Sequence, residues 1–257
     1  MKFDTDLIEG KLIKRYKRFF ADIAVVGESL NDQSGQKSPL NPGQETIVTA
    51  HVPNTGSMMG CSAPNSRCFI SKSKNPERKL QYTLEMVESD NVLVGVNTSH
   101  PNRLAYEAFE QKILAHWSSY DTCQTEVKIS KESRIDMVLK QSAQKQQNEI
   151  KQHFVEIKNV TLKRNGVALF PDAVSSRGLK HIKELLALIQ QGHTAEFLFV
   201  VQRGDCRAFS PAFEIDPDYS KALAQAKKEG LMVTAVDCLV TPQEIRIHPN
   251  RTLPVEL

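Results

Sequence analysis

Along the first eighty residues, apolar positions come in short runs separated by turn signals rather than at helical spacing. Phe19–Val26, Glu45–Val52 and Cys68–Ser71 are such runs, which predicts β-strands. Gly27–Gly43, rich in Ser, Asn, Gln, Pro and Gly, is expected to be a surface loop. Pro53–Cys61 is a second turn-rich stretch. No amphipathic helix stands out in this region. Short strands with a basic flank predict a small β-barrel, for which an OB-like barrel is the natural candidate, although the pattern alone also fits other small β folds.

The pattern changes near Pro76-Glu-Arg-Lys, which places an expected domain boundary between residues 81 and 82. Beyond it the chain reads as mixed α/β. Tyr82–Val87 and Val92–Val96 predict paired strands. Pro101–Trp117, with Leu104, Ala108, Ile113, Leu114 and Trp117 as its apolar positions, predicts a helix. Strands are expected at Glu126–Ile129, Arg134–Leu139 and His153–Val160, with the Gln-rich Lys140–Glu149 as a long hairpin loop. A helix over about Ser175–Gln190 has serines suited to capping its start and Gly192 to close it. A strand at Phe197–Val201, a helix from about Pro217 to Glu229 and a strand at Leu231–Val236 complete the series. Two domains are expected, 1–81 and 82–257.

Composition narrows the picture. No run of eighteen apolar residues occurs, so no helical membrane span and no membrane partner are expected. The opening MKFDTDLIEG lacks the apolar stretch of a secretory signal. The cysteines (Cys61, Cys68, Cys123, Cys206 and Cys238) are odd in number, scattered and without a CxxC pair, which argues against a zinc ribbon or a disulfide framework and for a reduced, cytoplasmic protein. The formal net charge of +3 is small, but its distribution is uneven. Residues 1–85 carry 12 Lys and Arg against 9 Asp and Glu, while the remainder is balanced at 21 each. Lys11, Lys14, Arg15, Lys17 and Arg18 follow one another without an intervening acid. Lys72, Lys74, Arg78 and Lys79 form a second set. Charges spaced in this way can follow a phosphate backbone, although a solvated face is the ordinary alternative.

The candidate chemistry lies in the second domain. Strand alternation puts Glu156 and Lys158 on one face, with Val155 and Ile157 on the other. If Arg134–Leu139 pairs with this strand through the Gln-rich hairpin, Asp136 comes beside Glu156. Two carboxylates with a backbone carbonyl, such as that of Ile157, make an all-oxygen site suited to Mg2+ or Mn2+. Lys158 could orient the attacking water or stabilise charge developing on a phosphate. Glu107 on the first helix is the expected third carboxylate, with Glu110 its rival one turn away. The expected catalytic set is therefore Asp136, Glu156, Lys158 and Glu107, and the expected metal set is Asp136, Glu156 and Glu107. This is the layout of the PD-(D/E)xK nuclease core.

The literal Pro171-Asp172 follows the Glu-x-Lys strand rather than preceding it, so Asp172 is expected in a turn leading to the next helix. On that helix Arg177 and His181 share a face, as residues four apart do, and are candidates for phosphate contact beside Lys14, Arg15, Lys17 and Arg18. An exposed basic face is the alternative. No HExxH, Walker-type loop, GxSxG or clustered histidine set is present.

Several longer segments give the chain a resemblance to a known family. They are Arg15-Tyr-Lys-Arg-Phe, Pro53-Asn-Thr-Gly-Ser-Met, Arg78-Lys-Leu-Gln-Tyr-Thr-Leu-Glu, Val96-Asn-Thr and Asn102-Arg-Leu. Further along come Ser133-Arg-Ile-Asp, Val155-Glu-Ile-Lys-Asn-Val-Thr-Leu and Phe170-Pro-Asp-Ala-Val-Ser-Ser-Arg-Gly-Leu-Lys-His. In these the chain resembles the sugar fermentation stimulation protein A family over nearly its whole length. The resemblance implies an N-terminal OB-fold domain followed by a PD-(D/E)xK restriction-endonuclease-like α/β domain. It also implies DNA binding without sequence preference and metal-dependent nuclease activity, with Asp136, Glu156, Lys158 and Glu107 at the motif positions.

DNA is the expected partner, RNA the second choice, and a homodimer is compatible with this reading. The competing expectation is a non-catalytic DNA-binding regulator of sugar (maltose) metabolism on a nuclease fold. Intact acids beside a lysine favour catalysis, since carboxylates repel a polyanion unless a cation intervenes.

Overall fold

A computed structural model describes residues 1–26, 45–130, 133–142, 151–249 and 251–257. The expected Gly27–Gly43 loop and most of Lys140–Glu149 lie outside the described residues. The chain divides into two units: Lys2–Thr98 with Val240–Glu244, and Met1, Ser99–Leu239 with Ile245–Leu257.

In the first of these units, β1 (Ile8–Tyr16), β2 (Phe20–Val26), β3 (Glu45–His51), β4 (Arg67–Lys72), β5 (Tyr82–Ser89) and β6 (Val92–Gly95) form one sheet in the order β3-β2-β1-β4-β5-β6. A parallel pairing of Ala50 and His51 with Tyr82 and Thr83 joins β3 to β5 and closes the first five strands into a barrel. Leu12, Ile23, Ile70, Leu84 and Met58 are fully buried inside it. Closure brings backbones close at Gly10, where a Cβ would stand 2.6 Å from Ile23 Cγ2 and 2.8 Å from the Ala24 carbonyl oxygen; glycine is what fits there.

One expectation is corrected, and one strand was not anticipated. The strands expected at Tyr82–Val87 and Val92–Val96 belong to this barrel sheet, so the boundary falls after Thr98 and not at 81/82. The β5 strand supplies the second wall that β3 and β4 each need, and no break in its own pattern reveals this. The basic segment is itself a strand, β1. Its alternation is interrupted by a register shift between Leu12 and Lys14, an irregularity of the β-bulge kind that obscures the period.

The second unit is built on a six-stranded sheet of β7 (Thr122–Lys128), β8 (Arg134–Lys140), β9 (His153–Val160), β12 (Thr194–Val201), β14 (Met232–Val240) and β15 (Ile245–Ile247), in the order β15-β14-β12-β9-β8-β7. Strands β7, β8 and β9 run antiparallel, whereas β9, β12 and β14 are parallel. Seven of the eight residues of β12 are buried, as a central parallel strand requires. A small sheet of β10 (Leu162–Arg164), β11 (Val167–Phe170) and β13 (Ala208–Pro211) is the part that periodicity does not reveal.

Three helices accompany the sheet: α1 (His100–Glu110), α2 (Ser176–Gln190) and α3 (Pro217–Lys228). The predicted helix Pro101–Trp117 is shorter than expected. It stops at Glu110, Lys112 takes φ +51°, and Ala115–Trp117 forms a separate 3-10 turn. The expected caps are present on α2, where the Ser175 hydroxyl accepts from Gly178 N at 3.0 Å, and Asp216 does the same for Tyr219 N on α3. Asp172 lies in the bend before α2, as expected. No described helix is long and apolar enough to cross a membrane.

Candidate active site and candidate nucleic-acid interface

The predicted carboxylates meet where β9 outruns β8. Met137 pairs with Val155, so the same register continued by one step sets Asp136 opposite Glu156. There the ladder between the two strands ends, and the Ile157 N–H donates to Asp136 Oδ2 at 2.7 Å instead of to a backbone carbonyl. A strand residue's N–H and C=O leave on the same edge, so the Ile157 carbonyl also faces this side. From α1, Asn102 Nδ2 donates to Asp136 Oδ1 at 2.9 Å. Both Asp136 oxygens are thus oriented, and each keeps acceptor capacity.

Glu156 is 3% exposed, and Lys158 donates to its Oε1 at 2.6 Å. Alternation along β9 brings these two side chains to one face, and Lys158 Nζ also stands 5.5 Å from the centre of the Phe197 ring on the neighbouring strand. Burial and the charge of Glu156 push the Asp136 carboxyl above its usual value. Burial acts the same way on Glu156, but hydrogen bonding from His181 and the charge of Lys158 outweigh it and hold Glu156 below its usual value. Asp136, Glu156 and Lys158 are therefore brought together as predicted.

Glu107 is not. Its carboxylate is taken by the Met1 amino group at 2.6 Å and by Arg103 Nε at 3.0 Å. Nothing among the described residues bonds it to Asp136, Glu156 or Lys158. No three His, Cys, Asp or Glu side chains among the described residues converge as a metal-holding group, so the expected three-carboxylate set does not form. What does fit a divalent cation is the pair Asp136 and Glu156. Glu156 Oε2 is buried with no hydrogen-bond partner, and a buried carboxylate oxygen left unmatched is the kind of atom that a hard cation satisfies.

The α2 candidates divide. His181, expected on an exposed basic face or against a phosphate, is buried and sits on the acid cluster. Its Nδ1 lies 3.1 Å from Lys158 Nζ and also contacts Glu156 Oε1. Arg177 is exposed and donates through Nε to His181 Nε2 at 3.4 Å. Helical spacing does bring the two residues together, but it gives no means of telling which sheet face α2 covers. Asn102 was missed altogether: a lone asparagine in the first turn of a helix has no periodic signature.

Glu196 is a further buried carboxylate that sequence reasoning missed. It accepts from Trp117 Nε1 at 2.8 Å and contacts His116 Nε2 and His153 Nε2, each at 2.9 Å. Its burial is outweighed by the two histidines, which bring its pKa down to about 2. His116 with Trp117, His153 and Glu196 come from three separate parts of the sequence, so no local spacing marks the cluster.

In the barrel, the basic candidates also divide. Arg15 points its guanidinium at backbone carbonyls: Nε and Nη2 donate to Arg18, Nη1 to Ser57, and Nη2 also to Asn54 and Gly56, at 2.8–3.2 Å. It clamps the loop that begins at Pro53, so its guanidinium is engaged with backbone carbonyls where a phosphate contact was expected. Lys17 and Arg18 form the exposed turn between β1 and β2 and adopt φ of 46° and 63°. Left-handed backbone is costly for such side chains and persists where the surroundings impose it. Phe19, next in the turn, is 44% exposed. Lys14 reaches Asp22 at 3.4 Å and lies over the Tyr16 ring, which itself stacks on Phe20. Phe19 is thus the open ring at this turn, whereas Tyr16 is already stacked.

A closed five-stranded OB barrel and a restriction-endonuclease-like α/β unit, the latter carrying paired acids and a lysine at the end of a strand ladder, define a two-part architecture. Residues 99–244 match the family described as sugar fermentation stimulation protein RE domain, and residues 13–96 match the SfsA N-terminal OB domain. The chain belongs to the sugar fermentation stimulation protein family. It is 44% identical over 267 residues to the homologue from Bdellovibrio bacteriovorus and 43% identical over 257 residues to that from Citrifermentans bemidjiense, with all of each chain covered in both cases. Among solved structures it is similar to SfsA of Pyrococcus furiosus in complex with Ca2+, at TM-score 0.80 and 23% identity, covering 100% of this chain and 98% of that one.

Proposed function

We propose that the α/β unit is a divalent-cation-dependent phosphodiesterase acting on nucleic acid, DNA in the first instance, and that the barrel unit binds the nucleic acid without reading its sequence. The observation that carries this reading is the buried, unpartnered Glu156 Oε2 beside Asp136 and Lys158. Asp136, Glu156 and the Ile157 carbonyl would hold Mg2+ or Mn2+, an all-oxygen set that suits those ions. The relative's structure with Ca2+, another hard cation, agrees with that chemistry. When bound, the cation would polarise a phosphoryl oxygen and lower the pKa of a coordinated water. Asn102 holds the Asp136 carboxylate, and Lys158 offers its ammonium to the attacking water or to the charge growing on the phosphate. In the barrel, Lys17, Arg18 and Phe19 offer two cations and an open ring to a phosphate chain and a base.

The test is cleavage of plasmid and single-stranded oligonucleotide by the purified protein with Mg2+ or Mn2+, in parallel with Glu156→Gln and Lys158→Ala. Cleavage by the parent and its loss in both variants, with binding retained, is the expected result. A parent protein that binds DNA and cleaves nothing with either cation would overturn the catalytic half. The non-catalytic DNA-binding regulator would then stand, a reading favoured by one feature: Glu107, the expected third carboxylate, is tied to Met1 and Arg103.

A further inference from the structure

His181 meets three charged side chains with only two ring nitrogens. Nδ1 faces both Lys158 Nζ, at 3.1 Å, and Glu156 Oε1, in shorter contact, while Nε2 receives Arg177 Nε at 3.4 Å. Lysine and arginine can only donate and an ionised carboxylate can only accept. A proton on Nε2 would confront the Arg177 N–H and leave the Nδ1 lone pair against the carboxylate. A proton on both nitrogens would confront Arg177 and Lys158 together. With the proton on Nδ1 alone, the ring donates to Glu156 and accepts from Arg177; only the Lys158 contact is left unmatched, and Lys158 donates instead to Glu156 Oε1 at 2.6 Å. This arrangement satisfies the most contacts.

The consequence falls on Glu156. Its Oε1 takes both donors, from Lys158 and His181, which fixes the rotation of the carboxylate and leaves Oε2 buried and unmatched. Asn102 serves Asp136 in the same way from the opposite helix. We propose that Arg177 and His181 are positioning residues: Arg177 holds His181 in the Nδ1–H tautomer, and His181 holds Glu156 so that Oε2 is presented to the divalent cation. This inference rests on the cation reading given above. Partners one layer out from a metal orient its ligands in this manner and set their affinity.

Two measurements test it. The nitrogen-15 imidazole spectrum of the intact protein should show His181 protonated at Nδ1, and Arg177→Leu should move it toward the Nε2–H form. Calorimetric titration with Mn2+ should show His181→Ala binding about 10–100-fold more weakly, the range typical of lost outer-layer partners. His181→Asn should stay within about threefold of the parent, because its amide nitrogen can replace the Nδ1 donor. An Nε2–H spectrum in the parent, or unchanged Mn2+ affinity in a folded His181→Ala, would overturn the proposal. If the parent binds no Mn2+, the cation reading itself fails, and with it His181's role toward a cation; the spectrum then still decides whether His181 donates to Glu156.

Discussion

The barrel unit and the α/β unit treat charge in opposite ways. At the β1–β2 turn, Lys17 and Arg18 stand in solvent on left-handed backbone. In the α/β unit, Asp136, Glu156, Lys158 and His181 are half-buried or buried and are held by neighbouring groups, with Glu156 Oε2 alone left unmatched among their carboxylate oxygens. On the function proposed above, the difference follows from physics: a charge that meets a diffusing polyanion must stay hydrated and unspent, whereas charges that do chemistry must be desolvated and held in place. Arg15 marks the line between them: it belongs to the basic run by sequence, yet its donors are committed to the Asn54–Ser57 loop and to Arg18.

The sharpest way to break this comparison is at Lys158. Lys158→Ala should lower cleavage by about 10²–10³-fold, the range for removing one group that stabilises developing charge, and leave DNA affinity unchanged. Loss of binding in step with cleavage would erase the division between the units.

Next in size is Glu196→Gln. With a folded pKa of about 2 against 4.5, the group stabilises the fold fully above pH 4.5, and that contribution is lost as pH falls toward 2. Removing it should cost about 3 kcal/mol at neutral pH and flatten the acid limb of a denaturation series. An unchanged acid limb would show that the cluster is not coupled to folding.

Arg15→Ala should cost about 1–2 kcal/mol in stability, since a charged donor set to exposed and half-buried carbonyls is lost. Denaturant melts of the variant check this, and a binding defect without destabilisation would return Arg15 to the phosphate contacts. Gly178→Ala should cost about 1–2 kcal/mol, because a Cβ there would stand 2.9 Å from Tyr219 Cε2 and 3.0 Å from the Ser175 hydroxyl. The smallest effect is expected for Lys17→Ala with Arg18→Ala. Affinity for DNA should fall modestly, and the salt dependence should flatten by about 0.7–0.9 in logarithmic slope per lost contact, with cleavage of bound substrate unaltered.

Much of the α/β unit is legible in the sequence for identifiable reasons. Strand β9 matches its expected bounds because Glu156 and Lys158 alternate with apolar neighbours and turn signals flank it. Helix α2 announces itself by serine at its start and by Gly192, at positive φ, just past its end. Strands β5 and β6 were legible as strands but not as members of the barrel, because pairing partners are chosen across the chain and leave no mark on the pattern of either partner. Strand β1 was hidden by its bulge and by the lysines and arginines on its outer face.

The sequence by itself determined most of the strands and helices, the division into two parts and the Asp136, Glu156 and Lys158 motif. Strand and helix periods are local, and strand alternation places Glu156 and Lys158 on one face whatever surrounds them. Tertiary structure alone decided which charges remain available. Helix α1 brings Asn102 to Asp136 while Glu107 turns to Met1 and Arg103, and α2 delivers His181 to the acids rather than to solvent. Arg15 is spent on a loop and Arg18 beside it is not. Availability follows from burial and from the partners that packing supplies, and those are set by residues tens of positions away.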